Sequence, residues 1–92
     1  MSYMRMARYS SSSAPDDLQK RVDDELIPLY NEQPGFESFN VAMDGEKIIS
    51  VSTWDSEENA TNGGAAARKW AEGYDDIDDP DIAHVGEVLG SA

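Results

Sequence analysis

His84 is the only histidine in this chain of 92 residues. Imidazole is the one side chain whose unperturbed proton equilibrium sits near neutral pH. It is therefore the first candidate for a general base in a pocket, with a surface or interface imidazole as the alternative. Asn40 falls in a stretch that otherwise reads as strand, where asparagine is disfavoured. It stands as the polar group of a pocket or as a solvent-facing residue. Trp54 ends another strand-like run and either walls a pocket or fills core. Trp70 and Tyr74 are four residues apart on a helical stretch, so they share a face, which is either the core side or a pocket lining. Arg8 lies with Tyr3, Arg5 and Tyr9 in the first strand-like run. A buried arginine there needs a carboxylate, a dimer partner or a ligand, and in an acid-rich chain the carboxylate is the expected partner. The catalytic candidates are thus His84 and Asn40, and the pocket candidates Trp54, Arg8, Trp70 and Tyr74.

Other chemistries find little to stand on. The chain has no cysteine, which removes disulfides, thiolate zinc sites and cysteine nucleophiles together. Gly63-Gly64 is not followed by the Lys-Ser/Thr of a phosphate loop. One histidine among scattered carboxylates is a poor metal set, and the acidic run Asp75 to Asp81 lacks calcium-loop spacing. Neither a metal nor a cofactor is expected.

Charge narrows the partners. Asp and Glu number 19 against 7 Lys and Arg, a net charge of −12. Phosphate binding needs clustered cations, so neither nucleic acid nor an anionic membrane is an expected partner. Self-repulsion of this size is tolerated when salt screens it, which points to a high-salt cytoplasm; an acidic patch for a basic partner is the other explanation. No run approaches the ~18 apolar residues of a spanning helix. The N-terminus lacks an apolar stretch of signal type, so a cytoplasmic protein is expected. The length suits one domain, residues 1–92.

The elements that must position these residues follow from periodicity. Residues 2–9 alternate as a strand. Ser13 with Asp16 three residues later predicts a helix N-cap, and Pro15 suits the first turn. Leu18, Val22, Leu26 and Leu29 then draw one apolar stripe, extended by Tyr30. Pro28 predicts an irregular last turn, and Gln33-Pro34-Gly35 a stop. Residues 36–43 and 46–54 predict two strands joined by an Asp44-Gly45 turn, which pairs Val41 with Ile48, Asn40 with Ile49 and Phe39 with Ser50. Asp55 to Glu58 has a capping pattern, and a helix from about Ser56 to Tyr74 follows. Gly63-Gly64 either weakens it by about 1 kcal/mol per glycine or marks close packing. Residues 75–81 read as a solvated loop, and Ile82 to Leu89 as the last strand.

Strand, helix, strand, strand, helix, strand is the ferredoxin-like βαββαβ order, an α+β fold with a four-stranded antiparallel sheet. In the central hairpin one face carries Phe39, Val41, Ile48 and Trp54, the other Phe36, Ala42, Ile49 and Val51. Two helices cover one face only. The other would expose more apolar surface than monomers usually carry, so a homodimer through the open sheet face is expected.

The ordered series Pro34-Gly35-Phe36, Asp44-Gly45, Ser50-Val51-Ser52-Thr53-Trp54, Asp55 to Ala60, Ala65 to Ala71 and Gly86-Glu87-Val88-Leu89 resembles the antibiotic biosynthesis monooxygenase domain of the dimeric α+β barrel superfamily. The resemblance implies a dimer whose sheets close into a barrel. It also implies a pocket between sheet and helices where aromatic or quinol-type molecules are oxygenated without metal or flavin. Haem-degrading relatives use an asparagine on the first strand and a tryptophan and histidine on the second helix. Those helix positions fall near Gly63 and Gly73, and the first strand has no asparagine, so haem degradation is not implied. Cofactor-free oxygenation requires a base beside an electron-rich substrate in a dry pocket. The expected function is therefore oxidation or binding of a small aromatic or quinone-like molecule. The alternative is a non-catalytic homodimeric ligand- or partner-binding module of the same fold.

Overall fold

The first strand, β1 (Tyr3–Ser10), lies beside β3 (Lys47–Trp54) in the middle of the sheet, with β2 (Phe36–Asp44) and β4 (Ile82–Glu87) at its edges. The order is β2-β3-β1-β4 and every neighbouring pair is antiparallel. These relations come from a computed structural model that describes all residues from Met1 to Ala92. Both helical segments cover the same sheet face, the side of Arg5, Ala7, Tyr9, Ile48, Ser50, Ser52 and Trp54, all of which are buried. The fold is the expected ferredoxin-like α+β arrangement. No helix is long and apolar enough to cross a membrane.

The first helical segment is less regular than its apolar stripe suggests. It consists of α1 (Pro15–Arg21), a π-helical turn (Val22–Leu26) and α2 (Ile27–Asn31). Pro28 has no N–H for the carbonyl four residues back, and its ring crowds that carbonyl. The wider π turn sits immediately upstream and relieves both problems. Its extra residue also shifts the phase of the stripe. Leu18, Val22 and Leu26 are buried as expected, and Tyr30 rather than Leu29 takes the next inward place, at 1% exposure. The expected Ser13 cap is not made. Ala14 occupies the N-cap without a side-chain bond, while the Ser13 hydroxyl is taken up by Ser11.

The hairpin turns one residue later than the sequence suggests. Its two loop residues are Gly45-Glu46, so Met43 faces Ile48, Val41 faces Ser50 and Asn40 faces Val51. Only Gly45 has positive φ, at 60°, and a turn that wants glycine in its first central place accounts for the choice. The shift is two residues in pairing, so the faces assigned to most side chains are unchanged. Phe36 is the exception. A bulge between Phe36 and Ser38 inserts one residue and turns Phe36 to the helical side. There its ring stacks on Tyr30 with centroids 5.5 Å apart and meets Trp54 edge-on at 5.4 Å.

The second helix, α3 (Glu57–Glu72), is capped by Ser56, whose hydroxyl accepts the Asn59 backbone N–H at 3.1 Å. Asp55, the expected cap, instead accepts the Asn59 side-chain amide at 2.7 Å. The helix ends two residues before Tyr74, and β4 ends at Glu87 rather than Leu89. Gly63 and Gly64 mark close packing. A β-carbon on Gly63 would lie 2.1 Å from the Trp54 ring, and one on Gly64 would lie 2.1 Å from the Arg5 guanidinium nitrogen Nε. The helix approaches the sheet closely enough only because these two positions carry no side chain.

Candidate functional site

Between the sheet and the helices lies a small cavity of about 30 Å³, lined by thirteen residues of which twelve are hydrophobic. Tyr30, Phe39, Trp70 and Ala67 supply apolar walls, and Tyr9 and Ser50 bring hydroxyls. That volume holds one or two waters and no aromatic ring. It shares Leu18, Val22, Phe39 and Val41 with a groove of about 400 Å³ that runs between α1 and the β2 edge. The outer groove is within the usual size of a small-ligand site. Cavity and groove therefore lie side by side, with these four side chains between them. Asp23 is the only carboxylate lining either part.

Behind the cavity sits a polar centre that the charge pattern did not foretell. Arg5 is only 7% exposed. Its expected carboxylate is absent: the six ion pairs of the chain all involve other cations. Its Nη2 donates to the Tyr9 hydroxyl at 3.5 Å, and the Tyr30 hydroxyl lies within reach of the same guanidinium. Tyr9 is itself buried and lines the cavity. Burial pushes the Tyr30 hydroxyl up to about 12, against the opposing pull of the Arg5 charge. Ser52, directly across from Arg5 in the sheet, accepts the Trp54 indole N–H at 2.8 Å.

A second cluster clamps the two helical layers together. Glu25, in the π turn, accepts the Trp70 indole N–H at 3.0 Å and the Tyr74 hydroxyl in a short bond. Both bonds hold the Glu25 carboxyl below its ordinary value, the tyrosine contributing most. Reciprocally, the carboxylate pushes the Tyr74 hydroxyl up. Arg21 stacks over the Tyr74 ring at 4.3 Å and forks onto Asp76 at 2.8 and 2.9 Å. That fork holds the Asp76 carboxyl down. Trp70 and Tyr74 meet edge-to-face at 5.3 Å, so the expected i, i+4 contact is made, with Trp70 lining the cavity and Tyr74 closing the clamp outside it.

The remaining candidates are dispersed. Asn40, Val51, Met6 and His84 stand in one row across the four strands, on the face turned away from the helices. His84 and Asn40 are both exposed. Three strand spacings separate them, roughly 14 Å. His84 adjoins Met4 and Met6 in a shallow concavity of that open face, and Asn40 borders the outer groove at the β2 edge. Neither lines the inner cavity. Trp54 is fully buried in the core. Arg8 occupies the open face opposite Ile49 and Ile82, and its guanidinium grips Asp81, with the shortest contact at 2.9 Å. The carboxylate expected for the first-strand arginines is therefore present for Arg8 and absent for Arg5. The alternation of Tyr3, Arg5, Ala7 and Tyr9 already placed Arg5 on one face with Tyr9. Its lack of a counter-ion became visible only with the loops and helices in place.

No family model matches the chain, and no curated protein matches it in sequence. Solved structures do. An antibiotic biosynthesis monooxygenase-like protein from Chloroflexus aurantiacus superposes with a TM-score of 0.70 at 20% identity, covering 100% of this chain and 97% of its own. SnoaB, a cofactor-independent oxygenase from Streptomyces nogalater, does so with a TM-score of 0.65 at 11% identity, covering 98% and 95%. A monooxygenase from the gene ActVA-Orf6 of Streptomyces coelicolor, in complex with Nanaomycin D, gives 0.69 at 15% identity over 98% and 89%. The chain has the fold of these monooxygenase-like proteins.

Proposed function

We propose that this protein binds a small aromatic or quinone-like molecule in the cleft between α1 and the β2 edge. The observation that carries the reading is a 400 Å³ groove with mostly apolar walls that shares Leu18, Val22, Phe39 and Val41 with the inner cavity, and in this reading those side chains part to make one cleft. Shape and lining suit a flat apolar ring with one polar substituent. The binding species is a homodimer joined through the open sheet face. Met4, Met6, Ile49, Val51 and Ile82 fall together on that face by register, with Met4 and Ile49 exposed to 40% and 39%. A cytoplasm of high salt is the setting inferred from the charge balance.

Cofactor-independent oxygenation is the second reading, favoured by the fold shared with SnoaB and the ActVA-Orf6 protein. Under it, Asp23 on the groove wall is the residue placed to take a proton from the bound ring, and His84, on the open face, is not. Tryptophan fluorescence titration with hydroquinones and anthrones tests binding, and oxygen consumption with the same compounds tests turnover. Binding with oxygen uptake that falls in Asp23→Asn and persists in His84→Ala supports oxygenation. Binding without uptake leaves a binding module. Absence of binding across the panel removes both readings.

A further inference from the structure

We infer that Arg5 and Tyr9 form an oxyanion-binding pair at the inner end of the cleft, so that the bound ring carries an ionised oxygen. The inference rests on the ligand-binding reading above and narrows its substrate class.

A buried charge without a counter-ion is among the more expensive features a small domain carries. The chain has 19 acidic residues, yet none forms an ion pair with Arg5. A second copy joined at the open face does not supply one either, because Arg5 points to the helical side. No guanidinium nitrogen is both sealed from solvent and unbonded, and Arg5 itself lines neither the cavity nor the groove. Burial of Arg5 also requires a glycine opposite it, since a β-carbon on Gly64 would come within 2.1 Å of Nε.

Tyr9 turns this charge toward the cleft. A phenolic hydroxyl has one proton to donate and lone pairs to accept. The Tyr9 oxygen accepts from Arg5, and no hydrogen bond in the structure uses it as donor. The free proton belongs to a residue that lines the cavity. A ring lying in the outer groove would place one oxygen substituent in the 30 Å³ inner space, where Tyr9 donates to it and the guanidinium behind stabilises its charge. Hydrogen bonds to an ionised oxygen are the stronger kind, and a low-dielectric site amplifies them. A phenolate or enolate oxygen and an aromatic carboxylate share this chemistry.

The test is isothermal titration with naphthalene, 1-naphthol and 1-naphthoate, in wild type, Arg5→Met, Arg5→Lys and Tyr9→Phe. The expected result is at least tenfold tighter binding of naphthoate than of naphthalene, a ratio that falls toward one in Arg5→Met and is partly kept in Arg5→Lys. Naphthalene affinity should change less than naphthoate affinity in every variant. Tightening of 1-naphthol as pH rises through its own ionisation would assign the site to a ring oxygen; naphthoate selectivity without it would assign it to a carboxylate. Naphthalene and naphthoate binding equally to wild type would overturn the inference and leave the binding reading intact, whereas failure of all three to bind would remove both. Should Arg5→Met not fold, wild-type selectivity and its reduction in Tyr9→Phe decide the matter.

Discussion

Replacing Gly63 by alanine should destabilise the protein even though it improves the helix. In the middle of an exposed helix the change would stabilise by about 1 kcal/mol. Here the new β-carbon would lie 2.1, 2.3 and 2.7 Å from three atoms of the Trp54 ring, against ordinary carbon contacts of about 3.5–4.0 Å. Something must move by roughly 1.5 Å. The ring has little room, since its N–H is held by Ser52 at 2.8 Å and its faces and edges meet Tyr30 and Phe36. The helix must lift or the indole must turn and give up its hydrogen bond. Overpacking of this kind costs about 1–3 kcal/mol, and the upper end applies where backbone or a rigid ring must shift. Subtracting the propensity gain leaves a net loss of about 1–2 kcal/mol, or ~4–16 °C in Tm for a domain of this length. Urea denaturation followed by tryptophan fluorescence measures it, with Asn62→Ala, an exposed position on the same helix, as the control expected to be neutral or slightly stabilising. If Gly63→Ala is as stable as wild type or more so, the close approach of α3 to Trp54 is not real and the packing argument fails.

Tyr30 titrates higher in the folded chain, at about 12, than in an unfolded one. Its contribution is fully present below the ordinary tyrosine value near 10 and is lost as pH rises toward 12, on the order of 2–3 kcal/mol; Tyr30→Phe should flatten this alkaline loss in denaturation curves. Glu25 is held down by Tyr74 and Trp70, so its contribution is present above the ordinary glutamate value and lost as pH falls through the lower folded one. Glu25→Gln should abolish that acid step and red-shift Trp70 emission at neutral pH. Sedimentation in molar salt should return a dimer, and Val51→Glu a folded monomer; a wild-type monomer would refute pairing through the open face. The Tm should rise strongly between low and molar salt, and a flat response would refute the high-salt reading of the charge.

Much of the architecture was legible in local signals. Period-2 runs, an apolar helical stripe and a glycine turn are each written within a few residues, so the order of elements and the four-stranded α+β class followed from them. Errors came where one residue changes the phase. The π turn ahead of Pro28 left Leu29 half-buried while Tyr30, already part of the stripe, went fully inside, and the bulge after Phe36 moved that ring to the other side of the sheet. Pro28 announced an irregular turn without fixing its form, and the bulge leaves no mark in hydrophobic periodicity because one inserted residue is invisible to a pattern read two residues at a time. The Gly63-Gly64 pair was visible as a choice between helix weakening and close packing, and the Trp54 and Arg5 side chains opposite it decided for packing.

The candidate site divides along the same line. Sequence alone singled out His84 as the one imidazole, counted the excess of acid and set Arg5 and Tyr9 on one strand face, since these depend only on composition and parity. Tertiary structure alone decided that His84 and Asn40 face away from the helices while Arg8 finds Asp81. It also left Arg5 buried beside Tyr9 without a carboxylate. Whether a charge is neutralised depends on which distant chain segments fold within a few ångströms of it, and no short-range pattern encodes that distance.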